Sequence, residues 1–250
     1  MKIKDGNLKE VKYFDELDST NLYSKKNDLD SDTLVITGNQ TSGRGRLNHR
    51  WFSSPYKNLT FTLVKEIEIE PSNAHIINFY TSVILFSAIK NLIIGNDFEI
   101  FLKWPNDIIL NGKKIAGVLT ETNDTSAKIK KFFIGVGVNI NQNVFPEELN
   151  EKATSLLIET DIIYEPDMVL KKIIEYFYQF YELLNMPEEI IHVWRQFAFP
   201  AGKSVSFRVS EENEIKRAII YGYDKLGAIL LKNQSGEVQK HYSGEISFIY

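Results

Sequence analysis

At 250 residues the chain has room for one large domain, or for a large one with a small appendage. Its 43% hydrophobic and 25% charged residues read as an ordinary globular protein, and a net charge of -4 argues against general nucleic-acid binding, which favours a basic face. With no cysteine, disulfides, thiolate metal sites and a cysteine nucleophile are excluded; the four histidines, His49, His75, His192 and His241, show no metal-ligand spacing.

The first residues lack the apolar run of a signal peptide. The most apolar window, 76–94, is interrupted by Asn78, Ser82, Ser87, Lys90 and Asn91, so it reads as a buried helix and not as a membrane span. A cytoplasmic protein without membrane contact is the expectation.

In chain order, residues 11–14 read as a first strand, and Asp18-Ser19-Thr20-Asn21 offers side-chain acceptors for a helix N-cap. The β-branched run 33–37 reads as a core strand. Directly after it comes Gly43-Arg44-Gly45-Arg46-Leu47-Asn48-His49-Arg50-Trp51, in which glycines allow close backbone approach and arginines suit carboxylate and phosphate oxygens. This segment is either a loop that closes over an anionic ligand or a solvated basic turn. Residues 59–64 alternate and read as a strand with one wet face. A long helix is expected over 72–94, capped by Ser72 and stopped by Gly95-Asn96.

A short strand at 100–103 leads into Lys103-Trp104-Pro105-Asn106-Asp107, which gathers a cation, an aromatic face, an amide and a carboxylate at a strand end. Asn111-Gly112 between the apolar runs 107–110 and 113–121 predicts a tight hairpin. Gly117, inside the second run, suggests a bulge or a ligand lying against the backbone. In the strand expected at 131–140, Gly135 and Gly137 share a face. Together the three glycines read either as a flat floor for a purine or as points of sheet curvature. Helices are expected at 167–184, started by Pro166, and at 188–197. Beyond Pro200 the texture changes to short strands at 205–209, 214–221, 228–232 and 237–241, a small β-barrel. Residues 203–250 hold seven Lys and Arg against six Asp and Glu, a balance of +1, too weak for a surface that tracks phosphates.

Arginines on one loop, lysines on two others and a glycine-smoothed sheet suggest a nucleotide phosphate beside a second small anion. The glycine fingerprints of dinucleotide folds and P-loops are both missing, so any ATP is held another way.

In order and spacing, Asp18-Ser19-Thr20-Asn21, Gln40, Gly43-Arg44-Gly45-Arg46, Trp51, Lys103-Trp104-Pro105-Asn106-Asp107, Lys114-Ile115-Ala116-Gly117, Gly135-Val136-Gly137-Val138-Asn139 and Ser243-Gly244-Glu245-Ile246-Ser247 resemble the biotin–protein ligases over nearly the whole chain. The resemblance implies an α+β catalytic domain with a mixed central sheet, like class II synthetases, over 1–199, and an SH3-like barrel over 200–250. It implies biotin, ATP and Mg2+ as reactants and cofactor, a biotin carboxyl carrier domain as partner, and dimers as a family habit. Residue by residue it places Ser19, Thr20, Asn21 and Gln40 in a biotin pocket, Arg44, Gly45 and Arg46 in a closing loop, Trp51 against an adenylate, and Asn106 and Asp107 at the junction where an anhydride forms, with Gly43 and Lys103 among the further binding residues. Lys114 would bind carboxyl and phosphoryl oxygens, Gly117 and Gly137 would lie against the ligand, and Asn139 would read the adenine edge. Arg46, Lys114 and Asp107 are the expected catalytic residues, with Asp107 assisting deprotonation of the acceptor lysine.

Two features depart from the family pattern. Leu47-Asn48-His49 replaces a more basic continuation of the loop, and the short segment before Asp18 gives no expectation of a DNA-binding winged helix. The rival readings are a lipoate or octanoate ligase on the same fold, a non-catalytic sensor of biotin adenylate, and a nucleic-acid module built on the tail.

Overall fold

The structure is a computed structural model, and it describes residues 6–93, 95, 97–122, 129–208 and 215–248. The first strand, β1 (Glu10–Leu17), leads to the short helix α1 (Thr20–Lys26), and β2 (Thr33–Gln40) returns parallel to β1. After the arginine loop, β3 (Leu59–Glu68) precedes the long helix α2 (Ile76–Leu92). Then β4 (Ile100–Lys103), β5 (Asp107–Leu110), β6 (Lys113–Thr122) and β7 (Ile129–Val138) form an antiparallel set. All seven make one mixed sheet in the order β1-β2-β3-β7-β6-β5-β4. Helices α3 (Leu156–Thr160), α4 (Pro166–Gln179) and α5 (Pro187–Gln196) follow, and β8 (Ser204–Arg208), β9 (Lys216–Tyr223), β10 (Ile229–Lys232), β11 (Val238–His241) and β12 (Glu245–Phe248) close the chain as a second, antiparallel sheet. The expected α+β fold with a mixed central sheet is present, and the second sheet suits an SH3-like unit. Among the described residues no helix is long and apolar enough to cross a membrane.

Helix α2 is apolar on nearly every side, and a helix of that kind is stable in a core. It packs on β4, β5 and β6 and against α4 and α5. The second sheet is fastened to this core. Trp194 of α5 meets Phe79 edge-on at 5.0 Å and Tyr223 of β9 at 5.1 Å. The buried Trp104 indole donates to the Gly227 carbonyl at 3.0 Å, and the Tyr223 hydroxyl donates to the Phe199 carbonyl at 2.9 Å. The 1% exposure of Trp104 thus serves the junction between the two sheets.

Several expectations need correction. Ser72 lies in a 3-10 turn (Pro71–Asn73), and α2 starts at Ile76 with no side-chain cap on His75. Gly95 does take the positive φ, 121°, of a helix stop, while Ile94 and Asn96 lie outside the described residues. Residues 59–64 have no wet face, because the polar positions Thr60 and Thr62 are buried and Thr62 bonds to α1. The helix expected to reach 184 ends at Gln179 and is continued by a 3-10 turn (Tyr181–Asn185). Val209 and Glu214, expected at strand ends, lie outside the described residues. Helix α3 was not foreseen as a helix, nor Glu245–Phe248 as a strand.

Candidate active site

Ser19 has extended backbone and its hydroxyl accepts the Leu22 N–H, so α1 begins where the sequence places its cap. Thr20 and Asn21 are buried at this end. The parallel pairing of β1 and β2 sets Leu17 opposite Gln40, and the Gln40 Oε1 accepts the Thr20 N–H at 3.0 Å. Ser19, Thr20, Asn21 and Gln40 all line one cavity of about 610 Å³.

The arginine loop is a small closed hairpin. Arg44 bridges Arg50, the Gly45 N–H donates to the His49 carbonyl at 2.7 Å, and the Trp51 N–H donates to the Gly43 carbonyl at 2.9 Å. Leu47 turns the tip with φ 51°. Gly43 stands behind the cavity wall, because a Cβ there would come within 2.5 Å of the Trp51 carbonyl and 2.7 Å of Gln40 Nε2. It leaves room for the Trp51 carbonyl and the Gln40 side chain. Arg44, Gly45, Arg46 and Trp51 do line the cavity. The His49 Nε2 lies 2.9 Å from a Glu245 carboxylate oxygen of β12, so the loop tip is tied to the second sheet.

Lys103, Asn106 and Asp107 enter from the β4–β5 junction, across a cis Trp104–Pro105 peptide. The Asn106 side-chain amide donates to the Val118 carbonyl at 2.6 Å, which straps this junction to β6. Asp107 is buried between two ammonium groups, Lys114 at 2.6 Å and Lys103 at 3.3 Å. Burial alone would raise the Asp107 carboxyl, but the charges of Lys114 and Lys103 outweigh it and hold it below the usual carboxylate range. Burial pulls the Arg46 guanidinium below its ordinary value, while the Asp107 and Glu245 carboxylates act in the opposite sense.

Lys114 reaches Asp107 because β6 is bulged. Ile108 pairs with Ala116 but Ile109 pairs with Lys114, so Ile115 is the extra residue. One inserted residue reverses the alternation of side chains, which puts Lys114 on the same face as Gly117. The suspected bulge is therefore real but lies two residues before Gly117.

The three strand glycines each house a different side chain. A Cβ on Gly117 would sit 3.1 Å from Lys114 Nζ and 3.2 Å from Asp107 Oδ1. A Cβ on Gly135 would sit 2.5 Å from Asn21 Oδ1, and one on Gly137 would sit 2.4 Å from the Trp51 ring. The space above Gly137 holds the indole of Trp51, which also lies 5.4 Å from the Lys114 ammonium. Asn139 donates through Nδ2 to the Thr154 carbonyl at 2.9 Å, while its buried Oδ1 has no hydrogen-bond partner.

Other wall residues lay outside the sequence reading. The 152–154 segment runs beside Lys114, with the Lys114 N–H donating to the Lys152 carbonyl at 2.8 Å and the Thr154 N–H donating to the Lys114 carbonyl at 3.0 Å. Arg208 and Glu245 reach the cavity from the second sheet, so both sheets build it. Glu245 stood in the closing motif, whereas no local signal marked Arg208 or Lys152.

The family model for the biotin/lipoate A/B protein ligase family matches residues 13–139, half of the chain. The Bifunctional ligase/repressor BirA of Bacillus subtilis (strain 168) is 29% identical over 241 residues, covering 94% of this chain and 72% of that protein. The biotin–[acetyl-CoA-carboxylase] ligase of Paracoccus denitrificans is 27% identical, covering 88% and 92%. Among solved structures, the biotin protein ligase from Aquifex aeolicus in complex with biotin and ATP superposes with a TM-score of 0.78 at 24% identity, covering 96% of this chain and 98% of that one. A mutant of the same Aquifex aeolicus protein in complex with biotin superposes at 0.79 with 25% identity. The matched segment carries every site element from α1 to Asn139, and the chain belongs to the biotin/lipoate A/B protein ligase family, on the biotin–protein ligase side that its motifs resemble.

Proposed function

We propose that the cavity joins biotin to a protein lysine in two steps. The biotin carboxylate attacks the α-phosphorus of ATP, forming the biotinyl-5′-AMP anhydride and releasing pyrophosphate. The lysine amine of a biotin carboxyl carrier domain then attacks the anhydride carbonyl, forming the amide and releasing AMP. One observation supports this most: Arg46, Lys103 and Lys114, from three separate segments, line one cavity together with the polar cap of α1.

Ser19, Thr20, Asn21 and Gln40 would hold the polar ring of biotin. Lys114 would meet the carboxylate and the α-phosphoryl oxygens, where fixed cations lower the barrier because charge builds there during displacement. Arg44 and Arg46 would close over the anhydride and keep water from it. Trp51, backed by Gly137, would face the nucleotide, and the unpaired Asn139 Oδ1 suits the amino edge of adenine. Asn106 holds the junction to β6, and Gly117 leaves room for the Lys114–Asp107 pair. Asp107 is ionised and weakly basic, so its first effect is to fix two ammonium groups. It is also our candidate for taking the proton that the acceptor lysine must shed, a step that asks one of its lysine contacts to open. Magnesium supplied with ATP would neutralise charge on the departing pyrophosphate. We also propose 1–199 as the catalytic domain and 200–250 as the barrel domain.

Incubation with ATP, magnesium, biotin and a carrier domain, followed by intact-mass analysis, tests the reading. The carrier should gain one biotinyl group. Unmodified carrier would favour a non-catalytic sensor of biotin adenylate, whereas pyrophosphate release with lipoate or octanoate but not with biotin would move the chain to the lipoate side of the family.

A further inference from the structure

We infer that Thr62, which never reaches the cavity wall, is a positioning residue that fixes the hydrogen-bond polarity of the proposed biotin pocket. This deepens the biotin–protein ligase reading and rests on it. Thr62 sits on β3 with 0% exposure, and its Oγ1 lies 2.6 Å from Asn21 Oδ1 and 2.8 Å from Thr20 Oγ1. A hydroxyl has one hydrogen to give, so the partners decide where it goes.

The Asn21 amide has its orientation set from the other side. Its Nδ2 faces two acceptors, the Leu119 carbonyl at 3.1 Å and Glu121 Oε2 at 3.0 Å, and Glu121 is itself held by Lys25 at 2.9 Å. A flipped amide would set oxygen against both acceptors, so Oδ1 must point at Thr62. Asn21 Oδ1 cannot donate, so Thr62 gives its hydrogen there. Thr62 is then an acceptor toward Thr20, and the Thr20 hydroxyl hydrogen is drawn to it. The competing acceptor for that hydrogen, Gln40 Oε1, is 3.4 Å away and already receives the Thr20 N–H at 3.0 Å.

Two consequences reach the ligand. Thr20 Oγ1 keeps its lone pairs for an incoming N–H. Gln40, with Oε1 committed to backbone, keeps its Nε2 as a donor for an incoming carbonyl. Thr20 and Gln40 both line the cavity and touch each other, so it offers an acceptor beside a donor there. A cyclic urea presents the complement, an N–H beside a C=O. Without the Thr62 hydroxyl, the Thr20 hydrogen is left with only the long contact to Gln40 Oε1 at 3.4 Å, and it can turn into the pocket and oppose the ligand N–H.

The test compares variants that differ in shape and in the hydroxyl separately. Thr62→Val keeps the shape and loses the hydroxyl, whereas Thr62→Ser keeps the hydroxyl and loses a methyl. In biotin-dependent ATP–pyrophosphate exchange, Thr62→Val should raise KM for biotin about tenfold, as expected when a buried donor is left misdirected, with KM for ATP within about twofold of wild type. Thr62→Ser should stay close to wild type. Thr62→Ala, compared with Thr62→Ser, isolates the same hydroxyl if the valine variant does not fold. A packing role predicts the reverse order, serine worse than valine, and that order overturns the inference. So does an equal rise in both KM values. Absence of biotin-dependent exchange in the wild type would overturn the ligase reading itself, whereas an active wild type with an unchanged Thr62→Val variant would overturn only the role of Thr62.

Discussion

At the residue scale, Lys114 couples the buried Asp107 carboxylate to the cavity. Removing its ammonium should cost a charged hydrogen bond of about 1.5–3 kcal/mol, roughly 10- to 150-fold in the rate of adenylate formation; a single-turnover rate within twofold of wild type would contradict its assignment. The glycines give separable predictions because each shelters a different group. Gly137→Ala pushes on Trp51 and should raise KM for ATP, while Gly135→Ala pushes on Asn21 and should raise KM for biotin. Steady-state kinetics with each substrate varied in turn check this, and identical effects of the two substitutions would count against it. Asp107 carries a pH signature. Its folded carboxyl titrates below the unfolded value of about 3.9, so its contribution to stability is complete above that value and is lost as pH falls through the lower folded one. Thermal melts should therefore show a steeper loss below about pH 4 in wild type than in Asp107→Asn. If Asp107 also takes the acceptor's proton, the transfer step in that variant will show an altered rate–pH profile, and an unaltered profile removes the base role.

At the scale of elements, the loop and the bulge explain what could be read in advance. Local chemistry was legible. Asn111-Gly112 takes two positive φ values, 48° and 80°, as its dipeptide predicts, and Ser19 caps α1 as its position predicts. The arginine loop was recognisable from its composition, but its hairpin closure depends on pairing between Arg44 and Arg50. Thr62 was read as half of a wet face, because alternation shows which positions share a side and not what covers that side. Likewise no local pattern shows that Ile115 is an extra residue, since the register of β6 is set by β5. The tie between His49 and Glu245 gives the loop a second anchor. Glu245→Ala should loosen the closed loop and speed dissociation of biotinyl-5′-AMP, as should Arg46→Gly. Unchanged off-rates in both variants would show that loop closure does not retain the intermediate.

For the molecule as a whole, the second sheet contributes to the candidate cavity, because Arg208, Gly244, Glu245 and Ser247 line it together with residues of the first sheet, the arginine loop and the 145–153 segment. The sequence allowed a near-neutral barrel to be foreseen but not where it would dock. That depends on contacts such as the Gly227 carbonyl with Trp104. Gly227 has φ +84°, and a Cβ there would come within 2.8 Å of the Phe79 ring. Gly227→Val should therefore strain the backbone and unseat the barrel, at about 1–3 kcal/mol, lowering Tm by roughly 2–4 °C for each kcal/mol. The same variant should bind ATP more weakly. A lowered Tm with full ATP affinity would show that the barrel stabilises the fold without serving the site.

Biotin-dependent exchange of labelled pyrophosphate into ATP reports whether, as proposed, cations from separate segments meet where an acid is joined to AMP. Wild type should show exchange that requires biotin, and Lys114→Ala should show it reduced at least about tenfold. Exchange at wild-type rate without Lys114, or no exchange in the wild type when biotin is supplied, would contradict the proposal.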